Sequence, residues 1–180
     1  MDFVHLQCQS EYSVKNSLVR ISNLIDSVKE SGMKSVALTD EMSLFSAIKF
    51  YQKAVNAGIK PIIGAKISLP FDKGYYDVLL LCQNQEGYLN LSELISNVSV
   101  TEEQLISHQK GLLMISTPAS SDISRLSLAN DFEAAKMKAL KWKSIFKDRY
   151  YMSVQRTDRP SDESLLNLVI ELGLEVEVPI

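Results

Sequence analysis

The stretch ALTDEMSLFSAIKFYQKAVNAGIKPIIGAKI, residues 37–67, contains most of a strand–helix–strand unit. The apolar run SVALTD (35–40) predicts a buried strand. Residues 44–58 repeat apolar side chains at helical spacing and end at a glycine, which favours an amphipathic helix. KPIIGAKISL (60–69) predicts the next strand. A crossover helix between two strands is typical of a parallel sheet.

The same alternation continues in both directions along the chain. Further strands are predicted at 3–8, 76–82, 111–116, 150–155 and 175–180. Further helices are predicted at 17–32, 87–98, 101–108, 130–146 and 161–173. Seven short strand–helix cycles favour an α/β barrel or a large wound sheet, with mainly parallel strands and outer helices. In barrels the functional groups follow the C-terminal ends of the strands.

The length of 180 residues allows one domain with a sizeable core or two very small ones, and we expect a single domain over residues 1–180. The chain is 46% hydrophobic and carries a net charge of -3, so it has no general attraction for a nucleic acid backbone. The longest apolar run, VLLLC at 78–82, is too short to span a bilayer, and no secretory signal is visible. Cys8 and Cys82 lack paired spacing and are interpreted as reduced, buried thiols, which predicts a cytoplasmic protein. Because the chain stops inside an apolar strand, we expect a fragment of a longer polypeptide.

Common catalytic motifs are absent from the sequence. It contains neither G-x-x-x-x-G-K-[ST] nor G-x-G-x-x-G, and it has no G-x-S-x-G elbow. The two histidines are His5, inside a predicted strand, and His108, near the end of a predicted exposed helix. We expect both to be structural, so a histidine-based acid–base site is not favoured.

Several motifs together carry a family resemblance. These are FVHLQCQSEYS (3–13), the stretch 37–67, GYLNLSELIS (87–96) and DRYYMSVQRTDRP (148–160). In this order and spacing, the sequence resembles the N-terminal polymerase-and-histidinol-phosphatase (PHP) domain of bacterial replicative DNA polymerase III alpha subunits. The resemblance implies a distorted (β/α)7 barrel, truncated here near its last strand. It also implies a parent chain that is a DNA-directed DNA polymerase, a nucleotidyltransferase.

In active members of the family, the resemblance implies a cluster of usually three metal ions that hydrolyses phosphoesters. The family's ligand positions correspond here to Gln7, Gln9, Glu41, Lys66, Asp77 and Ser99. A neutral amide is a poor ligand compared with imidazole, and a protonated lysine has no lone pair and repels divalent cations. We therefore expect a degenerate site without a cofactor. Weak magnesium binding by carboxylates remains an alternative.

The charged residues at these positions suggest a replacement for the metal. We expect the Lys66 ammonium to lie among Glu41 and Asp77, with Asp40 as a further member of the charge cluster. The alternative is that Lys66 extends into solvent. Two more cations, Arg156 and Arg159, follow the sixth predicted strand on the site face. For them we favour internal ion pairs over a contact with phosphate.

Three functions remain open from the sequence. The first is a non-catalytic PHP domain that stabilises the rest of the polymerase chain and docks the proofreading exonuclease subunit. Its candidate docking residues are Met42, Phe71, Tyr75 and Tyr76. The second is a residual magnesium-dependent phosphoesterase, of exonuclease or pyrophosphatase type, that uses Asp40, Glu41 and Asp77. The third is a small-molecule-binding α/β barrel. No direct nucleic-acid or membrane partner is expected.

Overall fold

The computed structural model describes residues 3–72, 74–97, 99–118, 120–129, 131–158 and 162–180. Its helices are α1 (Ile21–Glu30), α2 (Ala47–Asn56), α3 (Gln85–Ser96), α4 (Glu102–Ser107), α5 (Asp122–Leu128), α6 (Phe132–Phe146) and α7 (Asp162–Glu175). Its strands are β1 (Ser35–Glu41), β2 (Lys60–Phe71), β3 (Gly74–Cys82), β4 (Leu112–Ser116) and β5 (Tyr150–Met152). A short 3-10 helix, Lys147–Arg149, follows α6.

The five strands form one sheet in the order β1-β2-β3-β4-β5. Strands β1 and β2 are parallel, and their register places Glu41 opposite Lys66 at the C-terminal end of β1. Strands β4 and β5 are also parallel, with Met114 opposite Tyr150. The predicted α/β class with mainly parallel pairing is therefore confirmed.

The sequence predicted strands at 3–8 and 175–180, and neither segment forms a regular strand. Segment 5–8 runs beside β1, where Ala37 N–H donates to His5 O (2.9 Å) and Thr39 N–H to Cys8 O (2.7 Å). From one hydrogen bond to the next, β1 advances by two residues (37 to 39) and the segment by three (5 to 8), and this mismatch interrupts the regular ladder. Helix α7 extends to Glu175, which is the first residue of the last predicted strand.

The end of the chain keeps only part of the predicted pairing. Met152 N–H of β5 donates to Pro179 O at 2.9 Å. Glu177 has a φ of 53°, in the left-handed region, which an extended strand cannot accommodate. The last six residues therefore lie against β5 at one point without forming a regular strand.

The chain divides into two compact units. The first unit contains Met1–Ile67, Leu79–Val98 and Lys110–Leu112. Its core joins the apolar faces of α1, β1 and α2, and its members are Ile21, Ile25, Val28, Val36, Leu38, Phe50, Ala54 and Ile59. This core fixes the orientation of β1, whose C-terminal end carries Asp40 and Glu41.

A close backbone contact in the first unit requires two glycines. Gly87, in the first turn of α3, packs directly against Gly111, which has a φ of +69°. A Cβ atom on Gly87 would lie well under 3.0 Å from the carbonyl of Gly111, and one on Gly111 would overlap Asn84 Oδ1. Because Asn84 caps α3 by accepting from Gly87 N–H (2.9 Å), any side chain here would also disturb the helix start.

The second unit contains Ser68–Val78, Ser99–Gln109 and Leu113–Ile180. Its core is aromatic, because Tyr76, Trp142, Phe146 and Tyr150 are all buried. The Trp142 indole N–H donates to the buried carboxylate of Asp122 at 2.9 Å, which joins α5 to α6. Burial raises the pKa of Asp122 despite this hydrogen bond.

None of the helices in the described ranges has the length and hydropathy of a membrane span.

Candidate functional site

Asp40, at the C-terminal end of β1, is buried in the first unit and surrounded by serines. Its Oδ1 accepts from Ser10 N–H (2.6 Å) and from the Ser13 hydroxyl (2.8 Å). Its Oδ2 accepts from the hydroxyls of Ser10 (2.8 Å) and Ser46. We call Ser10, Ser13 and Ser46 the serine cage. A carboxylate offers about four lone-pair sites, so the cage occupies them all.

The serine cage comes from two local features of the chain. Ser13 N–H donates to Ser10 O (2.9 Å), which closes a turn and brings both hydroxyls to one side. Ser46 occupies the N-cap of α2, but its hydroxyl donates to Asp40 and does not cap the helix. The sequence interpretation missed all three serines. The available signal was a pair of serines three residues apart and a third directly before a helix.

Glu41, the next residue, is paired with a cation. Lys66 Nζ lies 3.6 Å from Glu41 Oε2, and the Lys66 side chain is only 16% exposed. The Asn16 amide donates to the same oxygen. The parallel register of β1 and β2 sets this geometry, because it places the two residues directly opposite each other. Neighbouring carboxylates thus have different partners: hydroxyls for Asp40, and an ammonium and an amide for Glu41.

The other positions that correspond to metal ligands in the family, Gln7, Gln9, Asp77 and Ser99, differ in exposure and in hydrogen bonding. In the first unit, Gln7 is exposed and Gln9 half-buried, while burial raises the pKa of the Cys8 thiol between them. In the second unit, Asp77 Oδ1 accepts from the Ser68 hydroxyl at 2.7 Å, and Ser99 is exposed.

Comparison with known proteins identifies the family. The sequence matches the family described as "PHP domain" over residues 5–157. The chain belongs to the PHP domain family. It is 36% identical to the DNA polymerase III subunit alpha of Pseudomonas fluorescens over 191 residues, covering 99% of this chain and 16% of that protein. The corresponding subunit of Borreliella burgdorferi is 33% identical, covering 99% of this chain and 17% of that protein. This PHP domain thus spans about one sixth of the length of these relatives.

A solved structure shares the fold. It comes from Bifidobacterium adolescentis, is described as a possible metal-dependent phosphoesterase, and superposes with a TM-score of 0.62 at 9% identity. The match covers 97% of this chain and 84% of that protein. The PHP-type α/β fold and the resemblance to polymerase III alpha subunits are therefore confirmed.

The donors at the end of β1 do not fit the metal cluster that the family resemblance implies. The serine cage fills the lone pairs of Asp40, and Lys66 places a positive charge beside Glu41. Within the described ranges, no group of three or more His, Cys, Asp or Glu side chains is arranged to hold a metal ion.

The two histidines and Arg156 each contact a neighbouring side chain or backbone group. His5 is exposed and packs edge-on against Phe3, with ring centroids 4.8 Å apart. His108 ends α4, and its Nδ1 lies 2.8 Å from Gln104 O. Arg156 Nε lies 2.9 Å from Glu163 Oε1 in an exposed ion pair. Arg159 lies outside the described residues.

Four residues were predicted to form an exposed docking surface, and for Tyr76 this prediction is wrong. It is fully buried in the second unit, while Tyr75 beside it is 58% exposed. The period of the strand explains the difference, because successive side chains of β3 point to opposite faces. Phe71 is half-buried and packs edge-on against Tyr76, with ring centroids 5.8 Å apart. Met42 is also half-buried.

Tyr76 belongs to a charged cluster in the second unit. Its hydroxyl donates to Glu102 Oε1 at 2.7 Å, and Lys138 Nζ donates to the same oxygen at 2.6 Å. Lys141 donates to Glu102 Oε2. Burial by itself would raise the pKa of Glu102, but the three hydrogen bonds outweigh it and lower the pKa to about 2. This cluster therefore joins β3, α4 and α6.

We expect Glu102→Gln to lower the free energy of unfolding at pH 7 by about 1–3 kcal/mol, because two ammonium groups lose their carboxylate. The pKa of Glu102 is lower in the folded state, so its contribution is complete above the unfolded pKa near 4.5 and is lost as pH falls towards 2. Urea unfolding between pH 2 and 7 should show the two proteins converging in acid. Glu171→Gln, an exposed change on α7, is the control. A difference that does not depend on pH would contradict this interpretation.

Proposed function

We propose that this PHP domain is a non-catalytic part of a replicative DNA polymerase III alpha subunit. It acts in DNA replication in the cytoplasm as a structural scaffold, and it docks the proofreading 3′-5′ exonuclease subunit. The parent chain is the DNA-directed DNA polymerase, a nucleotidyltransferase, and this domain makes no direct contact with nucleic acid. The family membership and the polymerase relatives support the assignment to that chain.

The observation that carries this proposal is the Lys66–Glu41 pair. An ammonium 3.6 Å from the carboxylate lies where a divalent cation would need a negative or neutral ligand. The Coulomb energy between a unit charge and a divalent ion about 5 Å apart is unfavourable by several kcal/mol even at an effective dielectric constant of about 20. Lys66 therefore competes with a metal for Glu41.

The same pair explains how the domain serves as a scaffold without an ion. In a metal-dependent site the ions compensate the carboxylates that meet at the strand ends. Here Lys66 compensates Glu41, and the serine cage compensates Asp40 with hydrogen bonds. In the second unit, the Ser68 hydroxyl compensates Asp77 by donating to its Oδ1 at 2.7 Å. The ends of the strands are then stable at neutral pH in a domain that binds no metal.

Metal analysis and a hydrolysis assay test the absence of catalysis. We expect the purified protein to retain far less than one equivalent of zinc, manganese or magnesium after gel filtration. We also expect no hydrolysis of bis(p-nitrophenyl) phosphate or of single-stranded DNA when these ions are added. A stoichiometric ion would overturn the proposal, as would hydrolysis abolished by Glu41→Gln and Asp77→Asn in folded protein. Either result would favour the residual phosphoesterase.

Co-purification tests the docking role separately. The tagged protein should retain the exonuclease subunit from the same organism on an affinity column, whereas a protein of the small-molecule-binding type would not. Failure to retain that subunit would overturn exonuclease docking. The measurements of metal content and hydrolysis would still decide whether the domain is a non-catalytic scaffold.

A further inference from the structure

One loop of the first unit carries large apolar side chains on its outer side. The loop covers residues 11–19 and is closed by Glu11 N–H, which donates to Val19 O at 2.8 Å. Val14 is 85% exposed, and Leu18, four positions later, is 94% exposed. Exposed apolar residues are ordinary when they are single, but two on one short loop form the start of an apolar patch.

The polar side chains of the same loop hold its backbone in place. The Ser13 hydroxyl donates to Asp40 Oδ1 at 2.8 Å, and the Asn16 amide donates to Glu41 Oε2. Two anchors at the end of β1 therefore fix the loop, while its large apolar side chains remain outside. Because a fixed loop has little conformational entropy left to lose, it presents these side chains ready for a contact.

Phe45 extends the patch at the start of α2, where it is 88% exposed. It precedes Lys49 by four residues, a spacing that places both on the same side of a helix. Lys49 Nζ lies 3.6 Å from Glu11 and 5.5 Å from the centre of the Tyr12 ring, and both of these residues belong to the loop. Phe45 is therefore on the side of α2 that meets the loop. We call Val14, Leu18 and Phe45 the apolar rim.

The charges beside the apolar rim are mostly paired within the domain. Glu11 Oε2 lies 3.9 Å from Arg20 Nε, and Glu11 Oε1 lies 3.6 Å from Lys49 Nζ. The other charged residue of the loop is Lys15, which is exposed. Since the two cations at the base of the loop already have a carboxylate, the apolar rim favours an apolar contact that depends little on salt.

The size of the apolar rim fits a contact between parts of one polypeptide. Its three side chains expose on the order of 500 Å², within the range in which the largest apolar patch of a monomer is often functional. Interfaces between domains of one chain bury about 600–1,500 Å² in total, which is about 300–750 Å² on each side. The match to the Pseudomonas fluorescens relative covers only 16% of that protein, so such polypeptides contain much more chain that can supply the other side.

We propose that the apolar rim is a surface on which the polymerase alpha polypeptide outside residues 1–180 packs, through an apolar segment that covers Val14, Leu18 and Phe45. The inference rests on the proposed function, because it assigns the scaffold role to a particular surface. A domain that binds no metal needs no open access for a substrate at the end of β1. The loop that is anchored there is then available for packing against the rest of the chain.

Photocrosslinking in the purified full-length alpha polypeptide tests this inference. Leu18 is replaced by p-benzoylphenylalanine, the protein is irradiated, and the crosslinked peptides are identified by mass spectrometry. We expect crosslinks to an apolar segment outside residues 1–180 of the same chain, with a yield that does not depend on protein concentration. Val14→Ser combined with Phe45→Ser should reduce this yield by at least about fivefold, because the contact loses two buried apolar side chains.

Four controls separate an apolar contact from other causes. Lys15→Glu, on the same loop, should leave the yield unchanged. Salt at about 1 M, where the Debye length is about 3 Å, should also leave it unchanged. The same probe at Leu89, which is 58% exposed on α3, should not reach that segment. A second probe at Phe45 should reach it, which guards against a local effect of the substitution at position 18.

Several results would overturn the inference. They are an absence of crosslinks from positions 18 and 45 to chain outside residues 1–180, crosslinks only between two copies, and crosslinks that form only after the exonuclease subunit is added. An unchanged yield in the double variant, with native circular dichroism, would show that the segment does not pack on the apolar rim. A yield that falls in high salt or in Lys15→Glu would overturn the apolar contact. The metal, hydrolysis and co-purification measurements test the proposed function independently, so the two failures are distinguishable.

Discussion

Asp40→Ala is expected to lower the free energy of unfolding by about 3–5 kcal/mol. The substitution leaves four buried donors without an acceptor: the backbone N–H of Ser10 and the hydroxyls of Ser10, Ser13 and Ser46. Each unsatisfied buried donor costs about 1–3 kcal/mol, reduced where a hydroxyl can turn to another acceptor or water enters the space.

Urea unfolding at pH 7 measures this effect, followed by circular dichroism. Asp40→Asn should fall between the wild type and Asp40→Ala, because it keeps one acceptor oxygen and turns an amide towards donors. Asp26→Ala, an exposed acid on α1, is the matched control and should change stability by no more than about 0.5 kcal/mol. If Asp40→Ala lost less than about 1 kcal/mol, the serine cage would not be a structural element.

The second large effect is expected at the contact between Gly87 and Gly111. Gly87→Ala should destabilise the protein by at least about 3 kcal/mol or prevent folding, because the new Cβ would overlap backbone atoms that cannot rotate away. Gly111→Ala should be equally severe, since it adds an unfavourable positive φ to overlap with Asn84 and Gly87.

Gly58→Ala separates the two causes. Gly58 has a φ of +73°, close to that of Gly111, but no atom lies within 4 Å of the position of its Cβ. It should therefore show only the conformational cost, about 1 kcal/mol. Thermal and urea unfolding of the three variants tests this order. Equal losses in Gly58→Ala and Gly111→Ala would show that steric overlap between the glycines is unimportant.

The amphipathic helices could be predicted from the sequence. Apolar spacing located α1 and α2, and the predicted helix 44–58 ends at Gly58, which has a positive φ, as does Gly32 after α1. The helix predicted at 101–108 corresponds to α4, for which Thr101 is the N-cap and Gln104 completes a capping box. These features depend on residues within a few positions of one another, so a single sequence contains enough information for them.

The missed elements depend on contacts between distant segments or on weak local signals. The segment 5–8 and the last residues have apolar composition, but ladder mismatch and a positive φ at Glu177 prevent regular strands. Helix α5 is only seven residues long. The sequence indicates its start only through Ser121, the N-cap, whose hydroxyl accepts from Ser124 N–H. Short polar helices of this kind look like loops in a sequence.

For the candidate site, the prediction from the sequence rested on its charged residues. The sequence placed Lys66 among acids because the family pattern aligned it with a ligand position, and the structure places Lys66 Nζ 3.6 Å from Glu41. The serine cage was not predicted, because serines three residues apart and a serine before a helix are common patterns that do not by themselves indicate a shared acceptor. Their meeting point is determined by the fold of the first unit.

The Glu41–Lys66 pair has a consequence for attempts to engineer a metal site into this domain. Histidines introduced at positions 7 and 9 would leave a lysine ammonium beside Glu41 and an aspartate whose oxygens already accept four hydrogen bonds. A redesign would therefore have to replace Lys66 and remove donors of the serine cage together with the two histidine substitutions.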